Sequence, residues 1–456
     1  MERLRPEDDY FFRCESDDSP MHIGALQLFD APKTPEASGG SFFETFRRHL
    51  EARLPETPLA RVRCRAPEEF DSDLWCDVAA CDLDLHVERV GEPLDRRGLL
   101  ALVGRVATER LDLARPPFHV HVIEEVEGGG SALFWRVHHA VADGIGFQSL
   151  MSLLTDDSAD ALPRKVAPRA DEQPPSDAQW LEDSATRFAR EADERERGAA
   201  QRERAKAALA DFEADPAHAR VRGAKLARTV LSSRERHYEI LDLPLSRIRA
   251  VGRALGGTVN DAFVTLVSGA VRSYFDAAGE LPEEPLIAVA ARSYRREEHG
   301  LFGNRIVNLM PSLATHLRDP ALRFAEVRRS MGVEIERSRR LEALLHDYDR
   351  PHGARRRRED FEKKMKGGRR ILPGQVAVSN VPGPSAPRYL AGRELRASYP
   401  APLLGYGRIL NVTCRRYLDA LQCGIMSDGA MLKDVETIRA GLYEALEELE
   451  ACAARL

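Results

Sequence analysis

Cysteine is scarce in this 456-residue chain, and its seven copies are scattered. Cys14, Cys64, Cys76, Cys81, Cys414, Cys423 and Cys452 form no CxxC pair, which argues against a zinc site or a disulfide framework and reads as reduced, cytosolic thiols. An uninterrupted apolar span of ~20 residues is also missing, so a transmembrane helix is not expected. The longest apolar candidate, Ala262 to Val271, is short, contains Thr265, Ser268 and Gly269, and is better read as a buried helix. The opening MERLRPEDDYFF lacks the apolar core of a signal peptide. There is no excess of basic charge either: the formal net charge is -6, and no DNA or RNA module is present, so nucleic acid is excluded as a partner. A cytoplasmic protein is expected, with any contact to a membrane or lipid body peripheral.

Hydrophobic residues make up 43% of the chain, enough for a globular core, and the length calls for two or three domains. Gly24 to Phe29 reads as a strand, Phe42 to Leu54 as an amphipathic helix, Leu83 to Val87 as an edge strand, Leu99 to Leu111 as a helix and His119 to Ile123 as a strand. Strands interleaved with helices predict a layered α/β domain over residues 1–155. Residues 156–230 form a charged linker and a Glu-, Arg- and Ala-rich solvated helix. A second α/β domain over 231–456 opens on the strand Tyr238 to Leu243. Ser246 to Ala254 is a helix, Gly256-Gly257 breaks it, and Thr258 caps the next helix through Tyr274. Leu286 to Ala290, Val307 to Leu313, Gln375 to Ser379 and Ile409 to Cys414 read as strands, with helices over Arg323 to His346 and Leu432 to Leu456.

The motif that carries chemistry is His138-His139-Ala140-Val141-Ala142-Asp143-Gly144. It follows the apolar run Ser131 to Val137 and precedes FQSLMSLL, the pattern of a buried strand, a tight turn and a helix. Adjacent histidines on an extended backbone point to opposite sides, so they are poorly placed to share a metal, and no metal is expected. One imidazole is expected to face a cleft and act as a general base while the other packs inward. Asp143 either hydrogen-bonds the base, as in a triad, or forms an ion pair that fixes the loop. Gly144 permits a close backbone approach.

HHAVADG resembles the signature of the CoA-dependent acyltransferase superfamily, and other segments resemble one branch of it, the bacterial wax ester synthase/diacylglycerol acyltransferases. These segments are RLRPEDDYFFRCESDDSPMHIGALQLFD, LDLARPPF (Leu111 to Phe118), GGTVND (Gly256 to Asp261), Gly303-Asn304-Arg305, SNVPGP (Ser379 to Pro384) and LNVT (Leu410 to Thr413), the last followed by Cys423-Gly424 and Asp428. Phe118-His119 stands where the family usually has Trp-Glu, and the stretch from His346 to Arg370 is more charged than the family's.

The resemblance implies two chloramphenicol-acetyltransferase-like domains with mixed sheets flanked by helices and an active-site tunnel between them. It implies direct transfer of a long acyl chain from acyl-CoA, the co-substrate, to diacylglycerol or a fatty alcohol. No bound cofactor and no acyl-enzyme are called for. His139 becomes the base and His138 its inward-packed neighbour. Asp143 and Gly144 belong to loop architecture, with an arginine the expected partner of Asp143. Asn260 either caps its helix beside Asp261 or supports the catalytic loop and oxyanion. Asn304, Arg305, Ser379 and Asn380 either line the cleft or serve structure. The basic run Arg355 to Arg358 with Lys363, Lys364, Lys366, Arg369 and Arg370 is a solvated loop, a lipid-docking patch or an attractor of CoA phosphates. Two other readings are acyl transfer to a polyketide or glycolipid hydroxyl and a catalytically silent lipid-binding homologue.

Overall fold

A computed structural model describes the chain except residues 32–39, 68–69, 162–165, 168, 225, 227–232, 343, 345–373, 406 and 456. The basic run at 355–370 therefore lies outside the described residues. The first half comprises β1 (Glu2–Arg3), α1 (Pro6–Cys14), β2 (His22–Phe29), α2 (Phe42–Arg53), β3 (Arg61–Cys64), β4 (Leu74–Asp77), β5 (Val87–Val90), α3 (Arg96–Val106), β6 (Phe118–Ile123), β7 (Ser131–His138) and α4 (Gly144–Leu154). The long α5 (Asp177–Ala214) follows. The second half comprises β8 (Arg236–Pro244), α6 (Leu245–Ala254), α7 (Val259–Ala277), β9 (Ala288–Ser293), β10 (Ile306–Leu309), α8 (Pro320–Glu342), β11 (Val376–Val381), β12 (Tyr389–Leu390), β13 (Arg393–Ala401), β14 (Leu410–Tyr417), β15 (Ala420–Asp428) and α9 (Val435–Ala453).

Two six-stranded mixed sheets flanked by helices carry the structure, in the orders β12-β13-β2-β7-β6-β5 and β10-β9-β11-β14-β15-β8. Strand β7 is interior to its sheet and β15 lies one in from the edge; both are buried along almost their whole length, with apolar stretches at Ala132 to Trp135 and Cys423 to Met426. The first sheet is not built from the first half alone. β13 pairs antiparallel with β2, from Leu395 opposite Phe29 to Ala401 opposite Gly24. Segments 1–155 and 231–456 thus do not each own one sheet. The polar RELRASYPA sequence of β13, with Pro400 inside it, gives little sign of such a strand.

Local chemistry explains the other departures. Leu83–Leu85 is a short turn rather than a strand, because the Asp82 carboxylate accepts from the Asp84 N–H at 3.1 Å; extended backbone begins at Val87. The segment before α5 is tied down: Arg169 donates to the Pro55 and Thr57 carbonyls at 2.8 Å, and Glu172 accepts from the Asp77 N–H at 2.9 Å. Helix α5 starts at a Ser176–Gln179 capping box and is mostly exposed. Its first turns dock, however, with Trp180 packed on Ala66, Leu74 and Cys76 and Ser184 on Asp71.

Candidate active site

The histidine pair ends β7, and helix α1 is laid against it. Pro6 at the first helical position and three acids in the first turn (Glu7, Asp8, Asp9) suit the start of a helix. Phe12 of α1 stacks on His138 with ring centroids 4.3 Å apart, and Phe11 stacks on His139 at 4.0 Å and 7°. A Phe-Phe step in a helix thus matches the His-His step where the strand ends, each ring covering one imidazole.

The two imidazoles have different surroundings. His138 is fully buried, its Nδ1 accepts from the Ala140 N–H at 3.2 Å, and burial holds its pKa well below the ordinary value. His139 reaches a cavity of about 480 Å³ between the two sheets, walled largely by apolar side chains such as Ile23, Phe147 and Val378. Burial also lowers the His139 pKa, against the opposing pull of the Asp143 charge. The ring is therefore neutral at pH 7 and able to accept a proton.

The backbone of His139 is clamped at both ends. Its N–H donates to the Met21 carbonyl at 2.8 Å, and its own carbonyl accepts from Asn304 Nδ2 at 2.7 Å. Asn304, fully buried, also donates its N–H and Nδ2 to Asp8 Oδ1 at 2.7 and 2.8 Å. One buried carboxylate on α1 thereby fixes the asparagine that holds the histidine. Gly303 makes this possible: its φ is 71°, and a Cβ there would fall 1.6 Å from Arg5 Nη2.

Asp143 is the N-cap of α4 and does not touch the imidazole. Its Oδ1 accepts from the Gly146 N–H at 2.8 Å, while Oδ2 accepts from the Arg305 N–H and Arg295 Nη2, both at 2.9 Å. Of the two sequence alternatives, the geometry matches loop fixation and not a triad. His139 Nδ1 is buried with no hydrogen-bond partner among the described residues. The ring is held by stacking and backbone hydrogen bonds instead. Gly144 lines the cavity at the first turn of α4, where a Cβ would meet Val381 Cγ2 at 3.0 Å.

Not all sequence candidates converge here. Asn304 and Ser379 line the cavity; Arg305 contributes its N–H to Asp143. Asn380, next along β11, points the other way and is exposed. Asn260 and Asp261 do not line the cavity. Asp261 completes a capping box, accepting from the Thr258 N–H at 2.9 Å and hydroxyl at 2.8 Å, so this pair starts α7 and is not part of the cleft. Asp8, Phe11 and Arg295 make contacts around the histidine loop that the sequence reading did not assign. Arg295 lies among Arg292 and Arg296 with nothing in its spacing to single it out.

Comparison with known proteins places this geometry. Residues 4–263 match the wax ester synthase/diacylglycerol acyltransferase catalytic domain and residues 302–450 the C-terminal domain of the same family. The chain is 29% identical to a putative diacylglycerol O-acyltransferase of Mycobacterium bovis over 99% of both chains, and 26% identical to the O-acyltransferase WSD of Acinetobacter baylyi over 100% of this chain and 98% of that one. Its fold is similar to the wax ester synthase/diacylglycerol acyltransferase from Marinobacter aquaeolei VT8, with a TM-score of 0.66, 22% identity and full coverage of both chains. It is also similar to the starter condensation domain of rhizomide synthetase in complex with C8-CoA and Leu-SNAC, with a TM-score of 0.59, 14% identity and coverage of 99% and 94%. The chain belongs to the wax ester synthase/diacylglycerol acyltransferase family.

Proposed function

We propose that His139 is the general base for transfer of a long acyl chain from acyl-CoA to the hydroxyl of diacylglycerol or a fatty alcohol, giving triacylglycerol or wax ester. The observation that carries this reading is a neutral imidazole, clamped by Phe11, Met21 and Asn304, at the wall of a largely apolar cavity. His139 takes the hydroxyl proton as the oxygen attacks the thioester carbonyl. The tetrahedral intermediate then collapses, the C–S bond breaks, and the same imidazole returns the proton to the departing thiolate. The first turn of α4 at Gly144 faces the same cavity and suits the oxyanion, because the positive end of the helix dipole lies there. Asn304 and Asp8 position the base, and Asp143 with Arg295 fixes the loop that joins it to α4.

An acceptor chain and an acyl chain both favour the apolar walls, and one methylene contributes only about 0.8 kcal/mol, so a mixed acceptor range fits. Among the described residues no single helix is long and apolar enough to cross a membrane. Access to lipid acceptors is proposed to occur by peripheral contact. The test is thiol release from palmitoyl-CoA with hexadecanol, with dipalmitoylglycerol and without acceptor, with products identified by mass spectrometry. Acceptor-dependent release that His139→Ala abolishes is expected; equal release by the variant would refute the base assignment.

A further inference from the structure

The His139 cavity has one wall that does not suit a hydrocarbon. Strand β14 alternates, sending Leu410, Val412 and Cys414 into the core of the second half and Asn411, Thr413 and Arg415 to the cavity. Arg415 is 6% exposed. Among the described residues its side chain makes one hydrogen bond, from Nη1 to the Ser398 hydroxyl at 2.7 Å; its Nε has no partner, and no carboxylate pairs with it. This differs from the other deeply buried arginines near the sheets. Arg53 is paired with Asp156, Arg236 with Asp428 and Arg337 with Glu334. Burial lowers the Arg415 pKa to about 10, which leaves the guanidinium charged at neutral pH.

A buried cation without a counter-charge is unfavourable on its own, and removal from water is normally offset by an opposite charge in hydrogen-bond contact. Arg408, on the loop before β14, lines the same cavity and adds a second positive group. The missing partner is therefore anionic and enters through the cavity, where a guanidinium can hold a carboxylate or phosphate by paired hydrogen bonds.

We infer that Arg415 is a binding residue for an anionic group, a carboxylate or phosphate, on a substrate that shares the His139 cavity. This rests on the acyl-transfer reading and sharpens it: one substrate carries a fixed negative charge into a site otherwise suited to neutral lipid. Two sources share that chemistry, the phosphates of CoA and an acidic group on the hydroxyl acceptor.

Arg415→Met keeps an unbranched apolar stem and removes the charge; Arg415→Lys keeps the charge. Two assays separate the sources. One compares the KM of palmitoyl-CoA with that of palmitoyl-pantetheine, which lacks the phosphates. The other compares 16-hydroxyhexadecanoate with hexadecanol as acceptors. Loss of a charge-assisted contact is expected to raise the KM of one anionic substrate about tenfold or more in Arg415→Met, with its neutral counterpart changed less than about twofold and partial recovery in Arg415→Lys. A shift confined to palmitoyl-CoA assigns the site to CoA phosphate, and one confined to the hydroxy acid assigns it to the acceptor.

Equal changes for charged and neutral partners, or no change for any, would overturn the inference. Thermal stabilisation by CoA against pantetheine, and by palmitate against hexadecanol, gives a readout without turnover. If the wild type transfers no acyl group yet an anion stabilises it in an Arg415-dependent way, the acyl-transfer reading fails and this one stands. If anions stabilise the wild type no more than their neutral analogues, this one fails.

Discussion

Replacing Asp143 by asparagine separates two roles that a motif aspartate can play. The carboxylate is 1% exposed and its partner Arg295 9%, so solvent screens their attraction little. Asparagine can keep the Oδ1 contact to Gly146. It must then turn an NH2 group toward the Arg305 N–H and the Arg295 guanidinium, which are both donors. Breaking a buried ion pair by removing one partner costs ~3–5 kcal/mol, and the orphaned Arg305 N–H adds to the upper part of that range. Urea unfolding followed by tryptophan fluorescence reads this loss well, because Trp75, Trp135 and Trp180 are buried in the part of the chain that packs around the first sheet. Asp143→Asn is expected to unfold at clearly lower urea, with an Asp143/Arg295 double-mutant cycle showing coupling of roughly 1–3 kcal/mol. Catalysis should fall only as far as the α4 loop loosens. An unchanged urea midpoint with kcat down about 10⁴-fold would refute the structural role and restore a triad in which the aspartate orients the base.

Other outcomes follow from neighbouring contacts. His138→Ala removes a ring that is fully buried against Phe12 and should destabilise the fold by about 2–4 kcal/mol, while residual kcat at low temperature stays far above that of His139→Ala; matching losses of kcat would contradict the division of roles. Phe11→Leu takes the stacking partner from His139 and is expected to lower kcat several-fold with little effect on the KM of palmitoyl-CoA; a pure KM effect would place Phe11 in substrate binding instead. Gly303→Ala meets both a positive φ and the Arg5 side chain, so it should destabilise by more than ~1 kcal/mol and release Asn304, measured as a combined drop in melting temperature and kcat. Burial lowers the pKa of His22 to about 3 and of His121 to about 3. Their folded forms stay neutral while the unfolded chain takes up protons below about pH 6.5, so each adds a loss of about 1.4 kcal/mol per pH unit as pH falls from there toward 3. Replacing His121 by glutamine should flatten that acid slope in urea titrations, and an unchanged slope would argue against a neutral buried imidazole.

The parts of the molecule legible in the sequence are those set by short-range chemistry. The apolar run of β7, the histidines at its end and Asp143 opening α4 sit within fourteen residues, and periodicity and capping suffice to read them. The Thr258–Asp261 capping box is equally local, which is why its helix start is legible while a cleft role for Asn260 does not follow from it. The resemblance to the family marks the Gly303-Asn304-Arg305 segment, but not its chemistry: Asn304 acts on a backbone carbonyl 165 positions away and on Asp8 at the other end of the chain. Contacts of that range leave no periodic trace. Arg295, Arg415 and the pairing of β13 with β2 have the same cause, since each is decided by a partner more than a hundred residues distant or, for Arg415, by the lack of one.

Strand β13 also sets a schedule for synthesis. Before residue 401 has emerged from the ribosome, β2 has β7 on one side and nothing on the other, leaving an edge of eight mostly buried-type residues, HIGALQLF, open to other chains. At translation rates of about 5–20 residues per second, the stretch between His138 and Ala401 takes roughly 13–50 s to appear. For that time the histidine pair belongs to an unfinished sheet. Nascent chains of this protein therefore have a built-in window of vulnerability, and chaperone capture or pausing during the second half of translation would protect β2, the neighbour of the strand that ends at the histidine pair.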